Sequence, residues 1–260
     1  MMRSLWASAT GMRAQQLNVD VIANNLANVN TTGFKRSQAL FQDLLYERMR
    51  TPGASSGSGA NIPTGIQVGL GTHLVSVSKI FTPGKPQQTG NELDIWIEGD
   101  GFFKVVKPDG TEAYTSDGAF RLNVDGQVVN ADGYRLDGVD TISVEATSVS
   151  ISPDGTVSET VNGTTSDKGQ IKLFRFLNPA GLLSEGSNLY LPSSASGDAQ
   201  EGTAGENGFG SLRQGYLEMS NVEVVTEMVN LIVAQRAYEV NTKAIQASDE
   251  MLQQANNLRR

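Results

Sequence analysis

Apolar residues recur every three or four positions at both ends of the chain, a spacing that places them along one face of a helix. The pattern predicts an N-terminal helix over residues 5–26 and a C-terminal helix over residues 222–258, with Ser220 or Asn221 as the N-cap of the second helix. The candidate assembly interface on these faces consists of Leu5, Met12, Val19 and Leu26 in the first helix and Val229, Val233, Val240 and Met251 in the second.

Asp-Gly pairs divide the middle of the chain into short apolar or alternating runs. They occur at 100–101, 109–110, 117–118, 125–126, 132–133, 137–138 and 154–155. Such pairs are typical of tight turns between antiparallel strands. The middle of the chain is therefore predicted to be a β meander or a small barrel.

These patterns predict an α+β fold in which terminal amphipathic helices form a coiled-coil-like layer and a mostly antiparallel β domain is inserted between them. We expect a terminal helical domain at 1–33 and 215–260, an extended connecting segment at 34–78 and a β domain at 79–214. Residues 51–72 contain six glycines and no charge, which favours an extended or flexible chain. Within them, the spacing of Ile62, Ile66, Val68 and Leu70 would let one side lie as a strand on a neighbouring subunit.

Composition narrows the classes of function. Lys and Arg number 20 and Asp and Glu number 28, so the net charge of −8 argues against nucleic-acid binding. There is no Cys and a single His, which excludes disulfides, cysteine nucleophiles and His pairs. We expect no membrane span and no cleaved signal peptide, because no apolar run approaches the necessary length.

Several residue patterns could indicate a binding or catalytic site, but each also has a simpler structural interpretation. The Asp-Gly pairs could bind calcium, but their variable spacing favours turns. Gly69-Leu70-Gly71 and Gly99-Asp100-Gly101 lack the helix and the Lys-Ser/Thr of a phosphate loop. His73 has no evident second ligand, and Asp137 and Asp140 are expected to be solvated. We predict no catalytic residue, metal or cofactor, although an enzyme with an acidic site in the β domain stays an alternative.

The residues alone leave the role of the terminal helices open. They could pair within one chain, as in a soluble adaptor, or they could form a self-assembly surface. Burial of each large apolar side chain contributes about 1.5–3 kcal/mol, but only where a partner face exists.

Two runs of sequence resemble bacterial flagellar rod and hook proteins. The first run precedes the connecting segment, and the second lies in the predicted C-terminal helix. The residues that carry the resemblance are Asn24, Asn25, Leu26, Ala27, Asn28, Thr31, Thr32, Gly33 and Phe34, and Gln235, Arg236, Ala237, Tyr238 and Glu239.

The resemblance implies a structural subunit of the flagellar basal body, most similar to subunits of the distal rod; a proximal rod subunit is the alternative within the family. It implies a helical homopolymer that forms a rigid tubular drive shaft around the export channel. The implied partners are copies of the chain, other rod proteins and the hook at the two ends, and the surrounding peptidoglycan- and outer-membrane-ring proteins. It also implies export without a cleaved signal peptide to a rod that crosses the periplasm.

Overall fold

The computed structural model describes residues 2–51 and 64–257 of the chain. Ile62 and Leu258, which belong to predicted elements, lie outside these residues. The chain forms two compact units. The first unit comprises Met1–Leu26, Ser37–Ser78 and Val224–Arg260, and the second comprises Ala27–Arg36 and Lys79–Glu223.

The first unit contains two long helices and four strands in the part of the chain that the structure describes. These elements are α1 (Met2–Ala27), β1 (Ser37–Asp43), β2 (Tyr46–Arg50), β3 (Ile66–Gly69), β4 (Thr72–Lys79) and α2 (Val224–Asn257). Strand β1 pairs with β4, and β2 pairs antiparallel with β3 with a bulge at Arg48/Arg50. The connecting segment thus contains two ribbons of two strands each.

The helices predicted from apolar periodicity are confirmed, but the predicted N-cap of α2 is wrong. The side-chain oxygen of Asn221 accepts the amide of Arg36 at 2.7 Å, and its NH₂ group donates to the carbonyl of Ile80 at 2.8 Å. The hydroxyl of Ser220 accepts the amide of Val222 at 3.3 Å, before the helix begins. Both side chains stabilise loops of the second unit, so the chain completes those loops before it turns into α2.

The second unit is built from short strands joined by tight turns. Its strands are β5 (Pro86–Gln88), β6 (Ile95–Glu98), β7 (Phe103–Val106), β8 (Glu112–Thr115), β9 (Arg121–Leu122), β10 (Val128–Val129), β11 (Arg135–Leu136), β12 (Ser148–Ile151), β13 (Thr156–Val161), β14 (Thr164–Gln170), β15 (Lys172–Arg175), β16 (Leu183–Gly186), β17 (Leu189–Leu191), β18 (Gln200–Thr203), β19 (Ser211–Gln214) and β20 (Tyr216–Glu218), with a 3-10 turn at Pro179–Gly181. The largest sheet has seven strands in the order β16-β17-β8-β7-β11-β10-β9, and its pairs are antiparallel.

The Asp-Gly turns are confirmed at several of the predicted positions. At Gly126 the backbone φ angle is 76° and the amide donates to the carbonyl of Asn123 at 3.0 Å. At Gly133 φ is 83° and the amide donates to the carbonyl of Asn130 at 3.0 Å. Glycine adopts positive φ without the steric cost of a Cβ atom, which explains its place in these turns.

The second unit has its own hydrophobic core, which includes an edge-to-face pair of Phe103 and Phe120 with ring centroids 5.4 Å apart. The largest fully buried apolar side chains are Phe103, Phe120, Ile95, Leu136, Ile171, Leu173, Leu212, Val105 and Val157. An aromatic cluster adjoins this core and contains Phe102, Tyr114, Phe174, Phe176 and Tyr190. The predicted α+β class with a mostly antiparallel β domain is confirmed.

Candidate assembly surface

Helices α1 and α2 pack antiparallel within the first unit. The hydroxyls of Ser4 and Ser248 lie 3.3 Å apart near one end of the pair. Toward the other end, the side-chain NH₂ group of Asn25 lies 3.4 Å from a carboxylate oxygen of Glu227. The beginning of α1 therefore lies beside the end of α2, and the end of α1 lies beside the beginning of α2.

The seam between these helices repeats every seven residues. Glu227, Ala234 and Ser248 are the buried residues of α2, and Asn241 lies between the last two at the same spacing. The partners on α1 are separated by multiples of seven residues, at Ser4, Gly11 and Asn25. A strict seven-residue repeat is the spacing that keeps one face of a helix against a partner helix.

The residues that recur along the seam have small or polar side chains. A Cβ atom at Gly11 would lie 3.0 Å from the side-chain nitrogen of Asn241, so the helices meet closely there. The hydroxyl of Thr242 lies 3.3 Å from the sulfur of Met12. Leu231, Ile245 and Leu252 are half-buried, whereas the other large apolar side chains of α2 are exposed.

The predicted interface residues of α2 lie on its exposed face. Val233 and Val240 are 62% and 64% exposed, and Val229 and Met251 are about as exposed. With 3.6 residues per turn, Val229 points away from the seam. Val233 and Val240 lie about 100° around the helix from the neighbouring seam positions, and Met251 lies about 60° from Ser248. Further exposed apolar residues extend this face, and they are Val225, Met228 and Ile232. We call these seven residues the α2 outer face.

The predicted interface residues of α1 are half-buried beside the seam. Met12 contacts α2, and Val19 lines an open groove of about 410 Å³ together with Gln235 and Tyr238. Leu5 and Leu26 are also half-buried. The most exposed large apolar side chain described in α1 is Trp6, which the sequence analysis did not select.

The N-terminal family run fixes the path of the chain after α1. Asn25 is almost fully buried, and its amide group makes two hydrogen bonds of 2.8 Å with the backbone of Ser37, one as donor and one as acceptor. The hydroxyl of Thr31 donates to the side-chain oxygen of Asn28 at 3.2 Å. These contacts are structural, since they hold the end of α1 and the start of β1.

The second half of this run packs inside the second unit. Gly33 has a φ of 65°, and a Cβ atom there would lie 2.7 Å from the backbone of Asp117. Phe34 is buried, and the ammonium of Lys79 lies 4.8 Å from the centre of its ring. Only glycine fits the first position, which explains the Gly-Phe pair in physical terms.

The C-terminal family run lies on the surface of α2. Gln235, Tyr238 and Glu239 are exposed, and Arg236 makes an ion pair of 3.0 Å with Glu239 one turn away. Ala237 is half-buried, whereas the exposed positions are available to other molecules. Asn24 and Ala27 are exposed as well, and Thr32 is half-buried.

In the part of the predicted subunit-bridging segment that the structure describes, Ile66–Gly69 pairs with β2 of the same chain. Ile66 is exposed at the start of β3, whereas Val68 and Leu70 are half-buried. The β2–β3 ribbon places Tyr46 opposite Gly69 and Glu47 opposite Val68. A ribbon of two strands is marginally stable by itself, so its exposed apolar side chains favour contact with another surface.

A buried ion pair that the sequence analysis missed anchors the residue after Phe34. The ammonium of Lys35 lies 2.6 Å from a carboxylate oxygen of Glu218, and the two side chains are 5% and 6% exposed. The same oxygen accepts the amide of Gly84 at 2.6 Å, and Lys35 also donates to the carbonyl of Thr82 at 3.3 Å. No spacing in the sequence signals this pair, because 183 positions separate its members.

Asp117, beneath Gly33, carries a half-buried carboxyl group. Burial raises its pKa above the usual value, hydrogen bonds from Ala119 and Thr32 oppose the shift, and the charges of Asp94 and Glu218 add to it. A raised pKa means that the folded protein favours the protonated form of Asp117. The contribution of this group to stability is therefore fully present below the ordinary carboxyl pKa, and it is lost as the pH rises through the pKa of Asp117 in the folded protein.

We therefore expect Asp117→Asn to raise the free energy of unfolding at pH 7, because it removes a half-buried charge and keeps the acceptor oxygen. The difference from the parent should disappear as the pH falls to about 4. Urea denaturation at both pH values measures it. Asp132→Asn, which removes an exposed carboxylate from a turn, is the control, and an equal effect of both substitutions would contradict this account.

Charge is divided unequally between the two units. The first unit carries 8 basic and 7 acidic residues, a net charge of +1, and the second carries 12 basic and 21 acidic residues, a net charge of −9. Within residues 2–51 and 64–257, no three His, Cys, Asp or Glu side chains come together as a metal site requires. Neither long helix, as far as it is described, is apolar over the length that crossing a membrane needs.

Comparison with known proteins identifies the family. Residues 5–35 match the family model described as flagella basal body rod protein, residues 96–159 match the flagellar hook protein FlgE/F/G D1 domain, and residues 213–258 match the flagellar basal body rod FlgEFG protein C-terminal model. The matches fall on α1 and the run after it, on the second unit, and on α2.

Relatives named flagellar basal-body rod protein FlgG match over their whole length. The protein of Borreliella burgdorferi is 49% identical, and the alignment covers 100% of both chains. That of Caulobacter vibrioides is 48% identical over 99% of this chain and 100% of the relative, and that of Bacillus subtilis is 42% identical over 100% of both. The chain therefore belongs to the FlgG family of flagellar basal-body rod proteins.

Proposed function

We propose that this structural subunit of the distal rod polymerises through the α2 outer face into a rigid tubular shaft that surrounds the export channel and transmits torque. The exposed apolar surface of α2 is the observation that supports it. Exposed apolar patches beyond a few hundred Å² are typical of interaction sites. Specific interfaces bury about 800 Å² per partner, and the α2 outer face would supply part of that area.

The pairing of α1 with α2 bears on the alternative of a soluble adaptor. Pairing within one chain satisfies the small, polar seam but leaves the α2 outer face in water. An adaptor would have no use for a second apolar face on the same helix, whereas a polymer requires one. We therefore assign the seam to the fold of the subunit and the α2 outer face, together with the half-buried residues of α1, to a coiled-coil-like layer between subunits.

The charge distribution supports different roles for the two units in the polymer. The first unit has a charge near zero, so many copies can pack closely with little mutual repulsion. The second unit, at −9, is suited to a hydrated surface. We assign it to contact with the surroundings of the rod, including the peptidoglycan- and outer-membrane-ring proteins. Other rod proteins and the hook would join the two ends of the polymer.

The same proposal implies a route of export and a role that involves no chemical reaction. A subunit of a rod that crosses the periplasm would leave the cell through the channel of the growing structure, without a cleaved signal peptide. The chain would act without an enzymatic step, a metal or a cofactor, since its contribution is mechanical.

Electron microscopy of the purified chain at increasing concentration tests the proposal. We expect straight hollow tubes to form above a threshold concentration. Sedimentation of a single small species at the highest concentration reached would favour the adaptor instead.

We further propose that the β2–β3 ribbon bridges neighbouring subunits and stiffens the shaft. Ile66→Ser should leave the ribbon paired but remove an exposed apolar contact, so tubes should form and bend more easily. The persistence length of the tubes, measured from electron micrographs, checks this. Ile66→Val keeps an apolar strand former and is the matched control. If both variants gave tubes as stiff as the parent, the ribbon would have no bridging role.

A further inference from the structure

The seven-stranded sheet of the second unit ends in two strands that carry exposed leucines. Strand β16 lies at one end of the sheet and β9 at the other. Leu183 in β16 is 59% exposed, and Leu122 in β9 is also exposed. Among the described residues, each of these strands has a strand partner on one side only. Unpaired sheet edges with apolar side chains are ready templates for contact with another chain.

An open groove lies beside β9. It has a volume of about 350 Å³, and Leu93, Leu122, Ile142 and Val144 form its apolar lining. An apolar cavity of about 150 Å³ accommodates benzene in other proteins, so this groove is large enough for a leucine side chain. The groove is therefore a receiving surface that matches a protruding apolar residue in size and chemistry.

The opposite edge supplies such protruding residues. Leu183 lies in β16 itself, and Leu177, which precedes that strand, is 88% exposed. The charges of the two edges are also complementary. Glu185 of β16 pairs with Lys107 but stays partly exposed, and Arg121 of β9 pairs with Asp94 and is largely exposed.

We propose that the β9 edge of one copy receives the β16 edge of the next copy, so that the second units of neighbouring subunits contact each other in a row. The two surfaces differ, so the contact is heterologous and generates an open series rather than a closed dimer.

This contact rests on the proposed polymer, because each second unit carries −9 and copies free in solution repel one another. Packing of the first units would hold neighbouring second units close together and raise their effective concentration. At physiological salt the repulsion is screened beyond about 8 Å, so short-range apolar contact then prevails.

Cysteine cross-linking of the full-length chain tests the inference, since the natural chain has no Cys. Leu122→Cys and Leu183→Cys are introduced together, and assembled tubes are treated with a short bis-maleimide. Each thiol adds across one maleimide double bond, so no oxidant is needed. Every copy then presents one thiol at each edge, and we expect a ladder of dimers, trimers and larger species on a denaturing gel. A mixture of the two single variants should give cross-linked dimers but no larger species.

A second pair and a control make the result decisive. Leu177→Cys with Val144→Cys tests the same contact at two highly exposed positions, where substitution leaves the core unchanged. Asp132→Cys with Asp154→Cys places thiols on two exposed turns outside both edge strands and should give mainly monomers. Normal tubes that give no ladder with either edge pair, or an equal ladder from the control pair, would overturn the edge contact and leave the polymer proposal intact. Failure of the parent chain to form tubes would instead count against the polymer proposal, whereas a ladder in concentrated solution would still support the edge contact.

Discussion

A Val233→Asp subunit is expected to remain a small soluble species at concentrations where the parent chain forms tubes. Val233 is exposed in the isolated subunit, so a carboxylate there is hydrated and costs the monomer little. In the polymer the same carboxylate would be buried against a neighbour without a partner, at a cost of about 3–5 kcal/mol. At 1.4 kcal/mol per tenfold change, the critical concentration should rise by roughly two to three and a half orders of magnitude.

The measurement combines a pelleting assay with a probe of the second unit. The chain has two tryptophans, and Trp96 is the buried one, in β6 of that unit. In a Trp6→Phe background, the fluorescence of Trp96 should be unchanged by Val233→Asp, which would show that the second unit stays folded. Gln246→Asp adds the same charge at an exposed polar position of α2 and should polymerise normally. Normal tubes from Val233→Asp, or equal inhibition by Gln246→Asp, would remove the α2 outer face from the assembly surface.

The parts of the fold that sequence predicted are those with local signals. The extent of α1 and α2 follows from apolar periodicity over many turns, and the turns at Gly126 and Gly133 follow from dipeptides that favour positive φ. In each case the information lies within a few residues of the feature. Such signals do not depend on which distant elements meet.

The seam between α1 and α2 shows why other features were missed. The predicted interface rested on large apolar residues, and most of those in α2 are exposed. The seam instead repeats small and polar side chains every seven residues, as at Ser4, Gly11 and Asn25. A search for small residues at that spacing in both terminal segments would have found it. The predicted roles of the α2 outer face and of the bridging segment stay predictions, because one subunit does not contain its neighbours.

The ion pair of Lys35 and Glu218 is a different kind of omission, since its members are distant in sequence and each looks like an ordinary surface residue. Breaking it should have the largest effect on the stability of the second unit. Lys35→Met would leave the carboxylate of Glu218 buried without its cation, and loss of one partner of a buried pair costs about 3–5 kcal/mol. The run from Thr31 to Lys35 would then lose its tightest contact with β20.

A double variant separates the charge from the packing. Lys35→Met with Glu218→Gln removes both charges but keeps an oxygen that accepts the amide of Gly84, so its free energy of unfolding should be close to that of the parent. Urea denaturation followed by Trp96 fluorescence measures the parent, Lys35→Met, Glu218→Gln and the double variant, and this cycle of four chains gives the interaction energy.

Arg213→Met is the matched control, because Arg213 makes an ion pair of 3.0 Å with Glu98 in which both side chains are about half exposed. Exposed pairs contribute about 0–1 kcal/mol, so this variant should unfold nearly as the parent does. The account fails if Arg213→Met loses as much stability as Lys35→Met, or if the double variant is as unstable as Lys35→Met alone. The expected pattern would instead identify the buried pair as the contact that fixes the Gly-Phe-Lys run in the second unit, and would explain in physical terms why a polar residue follows the buried Phe34.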